Sequence, residues 1–246
     1  MESFEKRAAT YPRYNRLQRA VVKLGVRYLE DRVLDLGAGH GEVCRWKRFK
    51  FYLGIELSPS LARQNPCPVV VADFDQLPLS PLLRSFPISQ IISFSALQWS
   101  RNLPTLFSQI AQTGLPYLLA IFTSDTFSPL HRYLGVSSPL PSRPQLEKWN
   151  RLFLGGKVKV VKFLLQFRSG RGVLNYLRLS GVASGPSAPL SKLVQFAKDS
   201  PFLTLPAEVL FLSNRPLSLP PSLTLQMESE SGLIPTSPLS DLKVGF

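Results

Sequence analysis

The amino-acid sequence predicts an α/β fold, a mostly parallel sheet of seven strands with helices on both faces. Three observations carry this. From Arg32 to Phe122 short apolar runs alternate with helix-length segments, as a parallel sheet with crossover helices requires. The first run ends in a glycine loop, Gly37-Ala-Gly-His-Gly41, a place where backbone can approach a ligand closely. Three of these runs end in acids, Asp35, Glu56 and Asp73, in register with that loop.

Ahead of the sheet, Tyr14, Leu17, Val21, Leu24 and Tyr28 recur at spacings of three and four, which predicts a helix from about Pro12 with one apolar face. Arg16, Arg19, Lys23 and Arg27 share that period on another face, either as a solvated side or as a docking stripe for an anionic partner. Val33–Leu36 reads as the first strand. Phe51–Leu57 is the second, and its Glu56 stands 19 residues after Gly37, where an acid is placed to accept hydrogen bonds from ribose hydroxyls. Pro68–Asp73 reads as a third, buried strand and Ser89–Ser95 as the fourth. Leu115–Phe122 is the fifth.

The Ser- and Pro-rich stretch 123–156 then lies beyond the carboxyl end of the sheet, where an α/β protein holds its ligand. It is placed either to cover the site as a lid or to be a plain surface loop. Lys157–Phe163 alternates charged and apolar residues, as a half-exposed edge strand would. Gly172–Ser180 and Leu190–Lys198 read as helices, and Ala207–Ser213 as the last strand. Past Pro216 the composition turns to Ser, Pro and Leu without a period. This predicts one domain over 1–216, with 1–30 as its N-terminal helical part, and a disordered tail over 217–246.

A chain of 246 residues with 44% hydrophobic content is long enough to bury a large core. Its longest apolar run, Leu115–Phe122, is broken by Pro116 and too short to span a bilayer, so no membrane-spanning segment is expected. Charge from Glu2 onward argues against a signal peptide. Cys44 and Cys67 form no metal-binding spacing and no disulfide framework. Together these point to a cytoplasmic protein. The net charge of +13 is unusual and suggests a nucleic acid, an anionic membrane or an acidic protein as partner.

The spacing Gly-x-Gly-x-Gly after an acid-ended strand resembles the first motif of class I S-adenosylmethionine (SAM) methyltransferases, which have a Rossmann-like sheet. Further segments resemble one family within that class, the malonyl-acyl-carrier-protein O-methyltransferases of biotin synthesis. These are Ala8-Ala-Thr-Tyr11 followed by Leu17-Gln18, then Ile91-Ile-Ser-Phe-Ser-Ala-Leu-Gln-Trp99, then Val173-Leu-Asn-Tyr-Leu-Arg-Leu-Ser-Gly181, and the closing Ala207-Glu-Val-Leu-Phe-Leu212. Together they cover about residues 3–215. Arg178 stands where the family usually has Lys, and Pro129 interrupts Phe127-Ser-Pro-Leu130.

The resemblance implies SAM as methyl donor, held by Asp35, Gly37, Ala38, Gly39, Glu56, Leu57, Asp73, Phe74 and Ser93, with no metal. It implies a malonyl thioester on an acidic acyl carrier protein as acceptor. RNA or another small molecule is the less favoured acceptor, and a non-catalytic assembly role is the remaining alternative. A carboxylate acceptor is ionised at neutral pH, so no general base is needed. His40 and His131 are accordingly expected to be ordinary loop and lid side chains. Tyr11, Trp99, Phe122 and Phe167 are candidates to line the acceptor pocket. Arg143, Arg168 and Arg171 are available to grip a carboxylate. Between Arg143 and Arg178 nine Lys or Arg face one acid, Glu147, a net +8 that would suit an acidic carrier. A monomer is expected.

Overall fold

The computed structural model describes residues 14–180 and 188–227. Eight strands form one sheet: β1 (Arg32–Leu36), β2 (Phe51–Glu56), β3 (Val69–Val71), β4 (Gln90–Phe94), β5 (Tyr117–Phe122), β6 (Lys157–Gln166), β7 (Thr204–Ser213) and β8 (Ser222–Gln226). Their order is β3-β2-β1-β4-β5-β7-β6-β8. The first five are mutually parallel, and β7 runs antiparallel to both β5 and β6.

Alternation along each strand sends side chains to two separate cores. On β7, Ala207, Val209 and Phe211 enter one core and Leu210 and Leu212 the other. The first core is closed by α1 (Arg16–Gly25) through Leu17 and Val21, by α6 (Ser128–Leu134), by α8 (Gly170–Ser180) through Val173, Leu174 and Leu177, and by α9 (Leu190–Asp199) through Leu193 and Phe196. The second is closed by α4 (Leu79–Ser85), by α5 (Leu103–Gln112) through Leu106, Phe107 and Ile110, and by α7 (Arg143–Trp149) through Leu146. Two short helices, α2 (Glu42–Trp46) and α3 (Pro59–Ala62), follow β1 and β2.

Four expectations are corrected. The sheet has eight strands because residues 217–227, expected to begin a disordered tail, instead carry a further strand. β8 pairs in parallel with β6 over five positions, from Lys162 opposite Ser222 to Gln166 opposite Gln226. Leu217 and Met227 are buried at its flanks, and Leu223 and Leu225 pack on the first core. Residues 228–246 lie outside the described residues. Consequently, among the described residues, β6 is an edge only at its start, and β8 is the edge strand. At the other end β3 is not buried: Val70 and Val71 are about half exposed, since no strand pairs beyond them. Finally, Cys44 and Cys67 are joined in a disulfide, although nothing in their sequence spacing of 23 indicates it.

The basic stripe of α1, continued by Arg27 in the turn that follows, is not plainly solvated. Arg16 donates to the Gln226 carbonyl at 2.8 Å, Arg19 to Glu42 at 3.1 Å, and Lys23 lies 4.4 Å over the Trp46 ring. Arg27 donates to the Ser218 carbonyl, which also accepts from the Tyr28 hydroxyl at 2.7 Å. These cations fasten α1 to α2 and to the β8 segment.

Candidate functional site

The chain leaves β1 toward β2 and β3 on one side, and β4 and β5 lie on the other. That reversal makes a crevice beyond the carboxyl ends of β1 and β4, the place where open α/β sheets hold ligands. Ser93, fully buried, closes the floor of the crevice by donating to the Leu36 carbonyl at 2.6 Å. Its hydroxyl therefore joins two strands.

The glycine loop sits over this floor. Gly37 and Ala38 donate to the Ile55 carbonyl at 2.8 and 3.0 Å, which fixes the loop to β2. Gly37 is required by packing: at φ +80° a Cβ would lie 2.2 Å from the Ala96 Cβ. Gly39 differs. It has φ +54°, and among the described residues a Cβ there would meet nothing within 4 Å, so they leave open space on that side of the loop. Glu56 holds the loop from β2, its Oε2 accepting the Gly39 N–H and its Oε1 the Ser58 N–H, each at 2.8 Å. Leu57 beside it is 40% exposed, an apolar side chain left on the surface at the crevice rim.

Asp35 is 2% exposed and accepts a hydrogen bond from the Tyr52 hydroxyl at 2.7 Å. Burial pushes its carboxyl up to about 7, and the negative charge of Glu56 adds to this while the Tyr52 hydrogen bond opposes it. Asp73 caps the turn after β3 by accepting from the Asp75 N–H at 3.0 Å, and its other oxygen pairs with Arg101. Asp75 receives the Ser100 hydroxyl at 2.6 Å and the Arg101 N–H at 2.8 Å. Thus the third acid fastens the β3 loop to the segment after β4. Phe74 lies in the same corner, next to Gly37 and Ala96.

Ser95 was not visible as a site residue. It follows β4 at φ +61°, a strained conformation for a residue with a side chain, and among the described residues its buried hydroxyl oxygen has no hydrogen-bond partner. Gln98 holds the turn by donating to the Ser95 carbonyl at 2.7 Å, and its own Oε1 is also buried without a partner. Only its place directly after β4 could have drawn attention to Ser95.

His40 is not a plain loop side chain. It is 3% exposed, with Nε2 3.2 Å from Asn15 Nδ2 and 3.4 Å from Glu42 Oε2. Burial raises the Glu42 carboxyl, but His40, the Trp46 indole N–H and Arg19 outweigh this and hold it down at about 2. The cluster joins the glycine loop to α1.

Of the acceptor-side candidates, Tyr11 lies outside the described residues. Trp99 is half-buried in the short turn Leu97–Trp99 beside the first core. Phe122 and Phe167 belong to that core at 2% and 7% exposure, and Phe167 packs on Tyr176 with ring centroids 5.6 Å apart. Arg143 is engaged elsewhere: Nε donates to Glu147 at 2.7 Å and Nη1 lies 4.0 Å from buried Glu208. Arg168 and Arg171 are exposed.

The topology places these last two. Val161 is level with Val209 and so with Phe122, and β6 runs five residues further. Together with the start of β7 and with β8 it makes a wall beyond the carboxyl end of β5. Arg168 and Arg171 stand at the top of that wall, on the crevice side of the sheet, whereas Lys157 and Lys159 are at its opposite end. The stretch 123–156 is partly helical; its start is packed on this wall, while α7 within it packs on the second core. Thr123 and Phe127 donate backbone N–H groups to Glu208 and Pro206 at 3.0 and 2.8 Å.

A parallel five-strand half with a glycine loop at its reversal, continued by an antiparallel β7, is the class I methyltransferase fold. The YcgJ protein from Bacillus subtilis shares it with a TM-score of 0.54 at 13% identity, covering 80% of this chain and 99% of that one. A SAM-dependent methyltransferase from Thermotoga maritima, described as a possible histamine N-methyltransferase, shares it with a TM-score of 0.53 at 14% identity, covering 87% and 99%. In sequence, the chain is similar to the malonyl-[acyl-carrier protein] O-methyltransferase of Xylella fastidiosa (strain M23), with 30% identity over 143 residues. That match covers 48% of this chain and 47% of the relative, so the chain spans about half the length of the curated protein it resembles. No protein-family model matches.

Proposed function

We propose that this protein is a SAM-dependent O-methyltransferase that esterifies the free carboxylate of a malonyl group carried on acyl carrier protein. The observation that carries the donor half is the clamp of Glu56 on the Gly39 N–H at the strand reversal. The surrounding residues suit SAM. Open space lies over Gly39, an exposed Leu57 stands beside Glu56 for an adenine face, and the orphaned Ser95 hydroxyl is at the end of β4. Gly37, Ala38, Gly39 and Glu56 would hold the donor, with Phe74 and the Asp73 turn at the adenine end. When bound, SAM supplies a methyl group on a positively charged sulfur, activated for in-line displacement.

The chain's own work is then positional. The loop and the wall would hold acceptor oxygen and methyl carbon in line and exclude water. A carboxylate acceptor arrives ionised, so no protein group has to remove a proton. The similarity to the Xylella fastidiosa enzyme supports a malonyl carrier as acceptor. An acidic carrier also suits the exposed Arg168 and Arg171 at the crevice side, because complementary charge speeds encounter.

The test is incubation with SAM and, separately, malonyl-carrier, malonyl-coenzyme A and RNA, followed by mass spectrometry. A gain of one methyl on the malonyl-carrier is expected. Methylation of RNA alone would replace the acceptor while keeping the donor site. SAM binding without transfer to any acceptor would move the protein to a non-catalytic assembly role.

A further inference from the structure

The disulfide joins two segments that both touch the glycine loop. Cys44 is the third residue of α2, which starts directly after the loop, and Cys67 lies two residues before β3. Between them runs all of β2, so the covalent ring encloses Glu56, the residue that clamps Gly39. The Cys67 side of the ring also reaches the loop through Asn65. Its side-chain amide donates to the Ala38 and Gly39 carbonyls at 3.4 and 3.3 Å, and its Oδ1 accepts the Cys67 N–H at 3.0 Å.

α2 has little stability of its own. It is five residues long, and no side chain caps its N-terminus at Gly41. It is held by Val43 in the first core, by the Glu42 cluster and Lys23 over Trp46 on the α1 side, and by the disulfide on the β3 side. Both cysteines are half-buried at the edge of the first core rather than sealed within it.

We propose that Cys44 and Cys67 are a redox-convertible pair whose disulfide staples the glycine loop and strengthens SAM binding. This rests on the donor site of the preceding subsection. The oxidant belongs to the low-molecular-weight disulfides, of which oxidised glutathione is a convenient example. One cysteine thiolate attacks it, giving a mixed disulfide and one released thiol. The second cysteine displaces the other small thiol and closes the protein disulfide. Two protein thiols lose two electrons and two protons in all, and the small disulfide gains both pairs as two thiols.

The experiment uses the full chain, whose two cysteines make a thiol count unambiguous. Protein treated with oxidised glutathione should show no titratable thiol, and protein treated with dithiothreitol should show two. Calorimetry should find SAM bound about five- to tenfold more weakly by the reduced form, a typical coupling between two sites. Cys44→Ser should bind like the reduced form and ignore dithiothreitol, and Cys67→Ser serves if the first variant does not fold. Equal SAM affinity in both forms overturns the proposal, as does retention of two thiols after oxidation. If neither form binds SAM, the donor-site reading fails instead, and amide exchange over residues 37–47 then decides. Slower exchange in the oxidised form upholds the staple, and identical exchange refutes it.

Discussion

Replacing Gly37 and Gly39 in turn by alanine separates what the glycine loop does for the fold from what it does for a ligand. Both residues have positive φ, so each alanine meets the left-handed penalty of about 1–2 kcal/mol. At Gly39 that is the whole cost, because the added Cβ touches nothing within 4 Å. At Gly37 the Cβ would fall 2.2 Å from the Ala96 Cβ, and relieving that overlap adds about 1–3 kcal/mol of overpacking. For a domain of this size each kcal/mol lowers Tm by about 2–4 °C. Gly39→Ala should therefore melt about 2–8 °C below the parent and Gly37→Ala about 4–20 °C below it, with Gly37→Ala always the lower of the two. Calorimetry with SAM should show the inverse priority for Gly39. The folded Gly39→Ala protein should lose about tenfold or more in affinity, since its methyl group fills the open space that the donor would use. Unchanged affinity in Gly39→Ala would refute the placement of the donor over Gly39. Equal losses of Tm in the two variants would refute the packing argument at Gly37.

Three further outcomes follow from the same structure. Truncation after Pro216 removes β8, uncovers the fully buried Phe163 and Leu165 and strips the partners of Arg16 and Arg27, so Tm should fall by more than about 5 °C; a melting curve within a degree of full length would mean that β8 adds nothing. Asp35 binds its proton more tightly when folded, its carboxyl standing at about 7 against 3.8 ordinarily. Its contribution to stability is therefore whole below about pH 4 and is lost as pH rises to about 7, so Asp35→Asn should flatten the pH dependence of Tm in that window. A parent and variant with parallel pH profiles would dismiss the buried-acid argument. Reversing Arg168 and Arg171 to Glu should reduce turnover of malonyl-carrier much more than turnover of malonyl-coenzyme A, with SAM affinity unchanged; equal losses on both acceptors would place these arginines in the pocket or the fold.

The parallel half was legible because its signals are local. Apolar runs such as Ile91–Phe94, a glycine loop and an acid at the end of β2 are each written within a few residues. The resemblance to the methyltransferase class rests on that same stretch. β8 was missed because the Ser and Pro content after Pro216 hid a short alternation, Ser222-Leu-Thr-Leu-Gln226, whose leucines both turn to the first core. The basic stripe of α1 could not be assigned from its period, since its partners at Glu42, Ser218 and Gln226 are distant in sequence. The disulfide and the strained Ser95 are likewise products of tertiary approach, and neither residue type announces it. Arg143 looked available for a carboxylate because buried Glu208, which it approaches, lies on β7, with β6, α8 and α9 between them in the chain.

The fastening of α1 to the β8 segment has a bearing on how the protein is made. Arg16 and Gln226 are 210 residues apart in sequence, and Arg27 and Ser218 are 191 apart. During synthesis α1 emerges before the sheet, yet the carbonyls that receive its arginines, and the strand that covers the outer flank of β6, are among the last described residues to appear. The parallel half can assemble on the ribosome from contacts of short range, while the antiparallel half stays open along β6 until β8 has been made. For that interval Phe163 and Leu165 lack their cover, which makes this half of the sheet the place where a stalled or shortened chain would aggregate.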